Sequence, residues 1–434
     1  MSDRLLGRLE QVLGREGVIR EPGRLLAYES DALPRFRQLP AAVLLPRDTE
    51  TVAAAVRVLA EAGVPLTPRG AGTGLSGGAV AAPGGVVIGT ARMTRILEID
   101  PVRRIARVQP GVVNADLSRA AAPHGLRYAP DPSSQTACTL GGNVGENAGG
   151  PHCLKYGVTT RYVTGLTIVG GGGRVVELGG ADRAEGLDLT GIFVGSEGRF
   201  GLATEIELRL TPRPRAVRTL LAAFERMEPA GRAVSMIIAR GLLPAAMEMM
   251  DRGSIEAVES SVFAAGYPRD AGAVLVIEFD GTEAGLDADA EMAEMLCREA
   301  GATVVRRAGS EDERRALWQG RKKAYGAFGR ITPDLMVQDA TVPRSRLPEV
   351  LRSIEEIGAR HGLRLANLFH AGDGNLHPKI LFDRRDPEQV ERMEAASKEI
   401  LEVCVAAGGT ITGEHGVGLD KRAYMTMVHG SREL

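Results

Sequence analysis

The sequence predicts an α+β protein of two domains, and three observations carry that prediction. At 434 residues the chain is longer than one ordinary hydrophobic core supports. Glycine, 55 residues in all, gathers in dense loops between short apolar segments in roughly the first half. Further on, helix-length segments such as EAGLDADAEMAEMLCREAG alternate with apolar strands such as AVLVIEF and ATVVRR. This change of character places a boundary near residues 212–214. It gives a first domain over 1–214 with its core at about 38–212, a second over 215–405, and a C-terminal segment, 406–434, that packs back onto the first.

The elements follow in order. MSDRLLGRLEQVLG reads as an amphipathic, charged helix without the apolar run of a signal peptide. AAVLLP is a strand closed by Pro46, and Asp48 or Thr49 caps the helix TVAAAVRVLAEAG, which stops at Gly63. VPLTP leads through RGAGTGLSGGA into GGVVIGT, so this glycine loop joins strand to strand. A dinucleotide fingerprint must open a helix, and a P-loop needs Gly-Lys-Ser/Thr, so neither reading applies. RIARVQPGV, GLRYAPD, GLTIVGGGGRVVELGG and ATEIELRLTP add strands punctuated by Gly or Pro.

Composition excludes several classes. A net charge of -2 and 4% aromatic residues leave neither a basic footprint nor stacking platforms for nucleic acid. No apolar run approaches the ~18 residues of a membrane span. Cys138, Cys153, Cys297 and Cys404 are scattered without a CxxC pair, which argues against an iron–sulfur cluster in this chain and for a reducing compartment. A cytoplasmic protein is expected, peripheral to a membrane only through a partner.

Three loops suggest a cofactor. Residues 68–78 carry Gly70, Gly72, Gly74, Gly77 and Gly78, with Thr73 and Ser76 as hydroxyl donors. Residues able to take positive φ can present successive N–H groups to an anion. Residues 130–150 are similar in kind, with Ser134, Asn143 and Asn147 among the glycines, and FVGSEGRFG is the third. A single loop of this kind is more often a tight turn. Three together favour a large, flat, phosphate-bearing cofactor, and FAD fits.

FHAGDGNLHPKILF, residues 369–382, reads as a β-hairpin with Asp373-Gly374 as a two-residue type I′ turn. That register sets His370 opposite His377, and opposed Cβ atoms lie about 4.5–5.5 Å apart. Two imidazoles there can share a metal ion, and Glu414 in TGEHGVG offers a third ligand. Three protein ligands with an open position match a catalytic zinc site, although Mn and Fe(II) accept the same donors. His415 is then placed to act as a base. A lone His on a half-buried strand is more often a hydrogen-bonded core residue. The paired register and the glycine-flanked Glu-His dipeptide carry the metal reading further.

PRGAGTGLSGG, DPSSQTACTLGGNVGENAGGPHCLKYG, FVGSEGRFG, HAGDGNLHP and GEHGVG together resemble the FAD-linked oxidase family that shares its flavin domain with vanillyl-alcohol oxidase. The resemblance runs from about Pro40 to the end and is nearest the glycolate oxidase branch, with D-lactate and D-2-hydroxyglutarate dehydrogenases as relatives. It implies a two-part FAD-binding domain plus an α+β substrate-binding cap. Pro68, Arg69, Gly70, Ala71, Gly72, Thr73, Gly74, Ser76, Gly77 and Gly78 match the family's pyrophosphate loop. Pro130, Asp131, Pro132, Ser134, Gly141, Gly142, Asn143, Glu146, Asn147, Gly149 and Gly157 match its other cofactor contacts. Covalent members attach flavin to a His near the first glycine loop; none stands there, so non-covalent FAD is implied. His370, His377 and Glu414 match the metal ligands and His415 the proposed base.

The implied reaction is dehydrogenation of glycolate or a small D-2-hydroxy acid, with hydride passing to flavin N5. Arg321, in LWQGRKKAYG, is the candidate cation for the substrate carboxylate, although its charge-rich surroundings also suit a solvated helix face. Electrons would leave to an iron–sulfur subunit and a quinone rather than to NAD. A flavin-binding scaffold subunit is the non-enzymatic alternative. Family members commonly continue through a stretch resembling FDPxGxLNPGK, and the sequence ends at Leu434 without it.

Overall fold

The helix capped by Asp48 runs Thr49–Glu61 in the computed structural model, which describes residues 1–180 and 186–434. Its cap is reciprocal: the Asp48 carboxylate accepts the Thr51 N–H at 2.8 Å, and the Thr51 hydroxyl oxygen accepts the Asp48 N–H at 3.3 Å. The buried face, Val52, Ala55, Val56 and Leu59, packs with Leu44, Val86 and Ile88 of one sheet and with Val169 and Leu202 of another. Truncating Leu59 to Ala would cost about 2–5 kcal/mol, because it joins two sheets in one core.

Those sheets belong to the first of two units, formed by Met1–Gly150, Gly157–Arg213 and Glu414–Arg422. Its four-stranded sheet has the order Val18–Ile19, Ala42–Leu44, Val86–Gly89, Leu66–Arg69, parallel except at the first pairing. The second sheet is antiparallel, in the order Ile96–Asp100, Ile105–Val108, Leu202–Arg209, Val163–Val169, Val175–Gly179. The strand-to-strand glycine loop therefore leaves the edge of the first sheet at Arg69.

The second unit comprises Pro151–Tyr156, Pro214–Gly413 and Ala423–Leu434. Its antiparallel sheet runs Val304–Arg307, Ala216–Phe224, Ala273–Gly281, Ala246–Asp251, Arg364–His370, with the short strands Asn375–Leu376 and Ala340–Thr341 beyond. Pro378–Phe382 also pairs with Arg364–His370, and with Asp334–Val337. Helices Arg252–Glu259 and Glu311–Ala327 bury Ile255, Val258, Leu317, Trp318 and Ala324 against Leu221, Val274 and Val276. Helices Met227–Ala239, Glu283–Glu299 and Leu347–Arg360 form another packed group, with contacts to the central strands. Ala246–Asp251 is buried at every position and Ala273–Gly281 at all but its last, so the acidic residues in them must find partners inside the protein.

One division between the units falls between Arg213 and Pro214. Elsewhere the units are more interleaved than the sequence reading: residues 151–156, 406–413 and 423–434 go with the second unit. The second glycine stretch also differs. Residues 140–146 form a helix, Leu140–Glu146, capped by Thr139, whose hydroxyl accepts the Gly142 N–H at 3.3 Å. Its three glycines disguise it as a loop; a Thr cap and left-handed Asn147 at its end are the signals that identify it.

Candidate active site

The hairpin forms, but its register is shifted by two residues. His370 pairs with Asn375, and Asn367 with Pro378, so residues 371–374 make a four-residue connection rather than a type I′ turn. Asp373 helps by accepting the Asn375 N–H at 3.2 Å, and Gly374 alone of the turn dipeptide takes positive φ, 80°. A one-residue slip would put the two His on opposite faces; a two-residue slip leaves them on the same face as diagonal neighbours. Their ring centroids are 5.2 Å apart with planes at 88°.

Both rings are buried and oriented by acceptors. Glu248, fully buried on the neighbouring strand, lies 2.8 Å from His370 Nδ1. The other Glu248 oxygen pairs with Arg321 Nη2. His377 Nδ1 is 3.2 Å from the Gln338 carbonyl oxygen and 3.7 Å from Asp339 Oδ1. Such acceptors fix the tautomer and direction of metal-ligating imidazoles, so this donor set suits a divalent cation. Arg321 is 3% exposed, not on a solvated face. Its Nε and the Asn375 Oδ1 are buried without a hydrogen-bond partner among the described residues. Lys379 donates to the Leu368 and His377 carbonyls at 3.0 and 2.9 Å, and burial, then Arg321, holds its ammonium well below the usual range.

In the first unit, the 68–78 loop is held by its own residues. Only Gly72 and Gly77 there have positive φ, so the expected run of such residues is absent. Asp31 accepts the Gly77 N–H at 2.8 Å, which occupies one donor of the nest. The Arg69 guanidinium turns back beneath Gly72, within reach of the Ala79 carbonyl at 3.4 Å and 5.5 Å from the Tyr28 ring centre. Asn114 joins two of the other predicted contacts, donating from Nδ2 to the Pro130 carbonyl at 3.1 Å and to Asn143 Oδ1 at 3.0 Å. Asn147 accepts the Thr160 N–H at 2.9 Å. Pro132 and Ser134 accept backbone N–H groups of the turn that precedes Thr139.

The buried polar atoms of this unit without a partner among the described residues include Ser76 Oγ, Glu146 Oε2 and Ser196 Oγ, one from each glycine stretch. Unpaired buried polar groups in three converging loops fit a polar ligand such as a dinucleotide. Burial, with Glu197 and Asp31 adding repulsion, pushes the Glu146 carboxyl up to about 8. A cleft of about 870 Å³ borders the loops at Pro68, Gly77, Gly78, Glu197 and Gly198.

The Glu-His segment is fixed at both ends by carboxylates. Before it, in the second unit, Asp339 Oδ2 accepts the Thr412 hydroxyl at 2.7 Å and the Gly413 N–H at 2.9 Å. After it, in the first unit, Glu197 accepts the Val417 N–H at 2.7 Å and the Gly418 N–H at 2.8 Å through separate oxygens. The Ser76 carbonyl takes the Leu419 and Asp420 N–H groups at 2.9 and 3.1 Å. Gly416, with φ 89°, must be glycine: a Cβ there would lie 2.7 Å from Glu146 Oε2 and 2.9 Å from Glu197 Oε1.

Residues 151–156, between the second and third glycine stretches, are anchored inside the second unit. His152 stacks on Trp318 with centroids 5.3 Å apart and lies 3.3 Å from Glu278 Oε1. Glu278 also accepts from Thr219, Trp318 and Arg314. Two residues along the same strand face, Asp280 accepts from Lys155 and from the Tyr156 hydroxyl.

The sequence reading missed Glu248, Asp339, Glu197, Glu278 and Asp280. Glu248 in AMEMMD and Glu278 in AVLVIEFDG carry the one signal that could have found such residues, a carboxylate inside an apolar strand.

The comparisons agree with this architecture. The family described as "FAD binding domain" matches residues 40–179, and "FAD linked oxidases, C-terminal domain" matches residues 213–434. A glycolate oxidase subunit GlcD of Escherichia coli K12 is 47% identical, over 99% of this chain and 86% of its own length. The Bacillus subtilis subunit of that name is 42% identical, over 97% and 90%. A D-lactate dehydrogenase of Anaerostipes hadrus is 34% identical, over 89% and 83%. Among solved structures, p-cresol methylhydroxylase shares the fold at TM-score 0.78 and 16% identity, over 99% of this chain and 92% of that one. An alkyldihydroxyacetonephosphate synthase does so at 0.79 and 17%, over 95% and 80%.

Proposed function

Because the chain belongs to the FAD-linked oxidases, we propose that it dehydrogenates glycolate, or a small D-2-hydroxy acid, to the 2-oxo acid. The observation that carries the reading is the pair of buried, acceptor-oriented imidazoles, His370 and His377, in a chain 47% identical to a glycolate oxidase subunit.

FAD, held non-covalently, supplies a two-electron acceptor, and a divalent metal, zinc first with manganese or iron as alternatives, supplies Lewis acidity. His370, His377 and Glu414 are the proposed metal ligands. Glu248 keeps the His370 ring in one orientation, and Arg321 balances the Glu248 charge. Arg321 Nε, buried without a partner among the described residues, leaves one donor for a substrate carboxylate. His415 takes the hydroxyl proton as general base. Ser76, Glu146 and Ser196 offer the unpaired polar atoms to the cofactor. Electrons then pass to a partner, for which an iron–sulfur subunit and a quinone are the proposed acceptors; the relatives' printed name, a subunit, supports a complex. D-lactate is the second substrate candidate, from the 34% identical dehydrogenase.

Anaerobic bleaching of the bound flavin tests this. Glycolate, D-lactate, L-lactate and D-2-hydroxyglutarate are added in turn, with and without a chelator. Rapid bleaching by glycolate or one D-acid, lost on chelation, is expected. Bound flavin that none of them reduces overturns the reading. His415→Ala should retain flavin and lose at least about 100-fold in reduction rate, the typical share of a general base; a rate within threefold of the parent removes His415 from that role.

A further inference from the structure

We propose that Glu197 and Asp339 are positioning residues that act as two clamps on the tripeptide Glu414-His415-Gly416. The inference rests on the reading of Glu414 as ligand and His415 as base, and extends it to what holds them still. Between Gly413 and Val417 only three residues intervene. The Gly413 N–H is tied to Asp339 and the Val417 and Gly418 N–H groups to Glu197.

Several features make these carboxylates specific devices rather than incidental neighbours. Asp339 is completely buried, and its two oxygens are divided between the Thr412 hydroxyl with the Gly413 N–H and the His377 side, so one side chain relates a proposed ligand to the residue before the tripeptide. Glu197 itself sits at φ 52°, a conformation costly for a residue with a Cβ, and it places each oxygen on a separate N–H of the segment. Carboxylate-to-amide bonds are stronger than neutral ones, and two from one group fix direction as well as distance. The glycine at 416 lets Glu197 approach, since a side chain there would meet its Oε1. The Ser76 carbonyl, in the same loop as the proposed pyrophosphate contacts, fastens the next two amides. A ligand and a base displaced by a small distance lose much of their effect, so clamps at both ends bear directly on rate.

The test uses the full chain with FAD and metal bound, as parent, Glu197→Gln, Asp339→Asn and the double variant. Glu197→Gln keeps shape but sets an amide N–H against a backbone N–H, and Asp339→Asn keeps shape but removes the charge shared between the Gly413 N–H and the His377 side. Flavin content and thermal melting report whether each variant is folded. Hydrogen exchange of the peptide spanning residues 412–422 reads the clamps, and anaerobic flavin reduction at saturating and limiting hydroxy acid reads their consequence. Exchange of the Val417 and Gly418 amides should rise at least tenfold in Glu197→Gln. Its reduction rate at saturating substrate should fall tenfold or more with the substrate concentration at half-maximal rate little changed. Asp339→Asn should also lower metal affinity about 10–100-fold, as loss of such supporting groups does. The double variant should lose less than the product of the single losses, because both act on one tripeptide. Parent-like exchange, or faster exchange with an unaltered reduction rate, overturns the proposal. Should either variant fail to fold, Glu197→Asp, which retains the charge but shortens the reach, supplies the same readouts. If the parent itself is reduced by no hydroxy acid, the proposed function fails instead, and the exchange arm still decides whether the clamps exist.

Discussion

Glu146 shows how one residue can make stability depend on pH. Its carboxyl ordinarily titrates near 4.5 and is pushed up to about 8 here by burial, then by Glu197 and Asp31. The folded form therefore holds a proton that the unfolded form has released. Stability from this group is complete below about pH 4.5 and is lost as pH rises to about 8, by up to about 1.4 kcal/mol per unit. Melting temperature followed from pH 5 to 8 should fall less steeply in Glu146→Gln than in the parent; parallel curves would show that Glu146 titrates normally. Gly416 gives a second prediction at this scale. Gly416→Ala meets both a left-handed backbone and two carboxylate oxygens, so it should destabilise the protein by about 1–2 kcal/mol from φ alone and lower bound flavin, read by absorbance after gel filtration.

At the scale of elements, residues 151–156 are a short strap whose charges are placed by one strand. Glu278 and Asp280, two apart on that strand, take His152, Lys155 and Tyr156. Asp280→Asn removes the charge that a part-buried Lys155 faces, which should cost about 1–2 kcal/mol and open the chain after Lys155 to trypsin. Unchanged digestion and unchanged urea unfolding would show that the strap is held by packing alone. The same scale shows what the sequence could and could not tell. The Asp48 helix was legible because its cap and its apolar spacing are local. The His370–His377 hairpin was legible in kind but not in register. Asp-Gly favours a two-residue turn locally, while pairing with the strands on either side sets Asn367 against Pro378. Alternation of faces survived that shift, so both His kept their common face. The helix at 140–146 was hidden by its glycines. Arg321 was legible as a residue of interest but not its partner, since Glu248 lies 73 positions away in sequence and meets it only through the fold.

Across the whole molecule, the chain passes between its two units five times, after Gly150, Tyr156, Arg213, Gly413 and Arg422. Neither unit is therefore a continuous stretch. A fragment ending at Arg213 lacks Val417–Asp420, the partners of Glu197 and of the Ser76 carbonyl. Such a fragment, expressed alone, should retain less FAD than the full chain and melt at lower temperature; equal retention would show that the first unit is complete without its C-terminal piece. No helix among the described residues is long and apolar enough to cross a membrane.

That threading has a consequence for how such proteins can be recombined. A single crossover between two homologous genes near codon 213 joins one parent's Glu197 to the other's Gly413-to-Arg422 stretch. The chimera inherits a clamp and a clamped segment that never evolved together. The second unit can be transplanted as a working cassette only when the short return segment, residues 414–422, travels with the first unit it was born with.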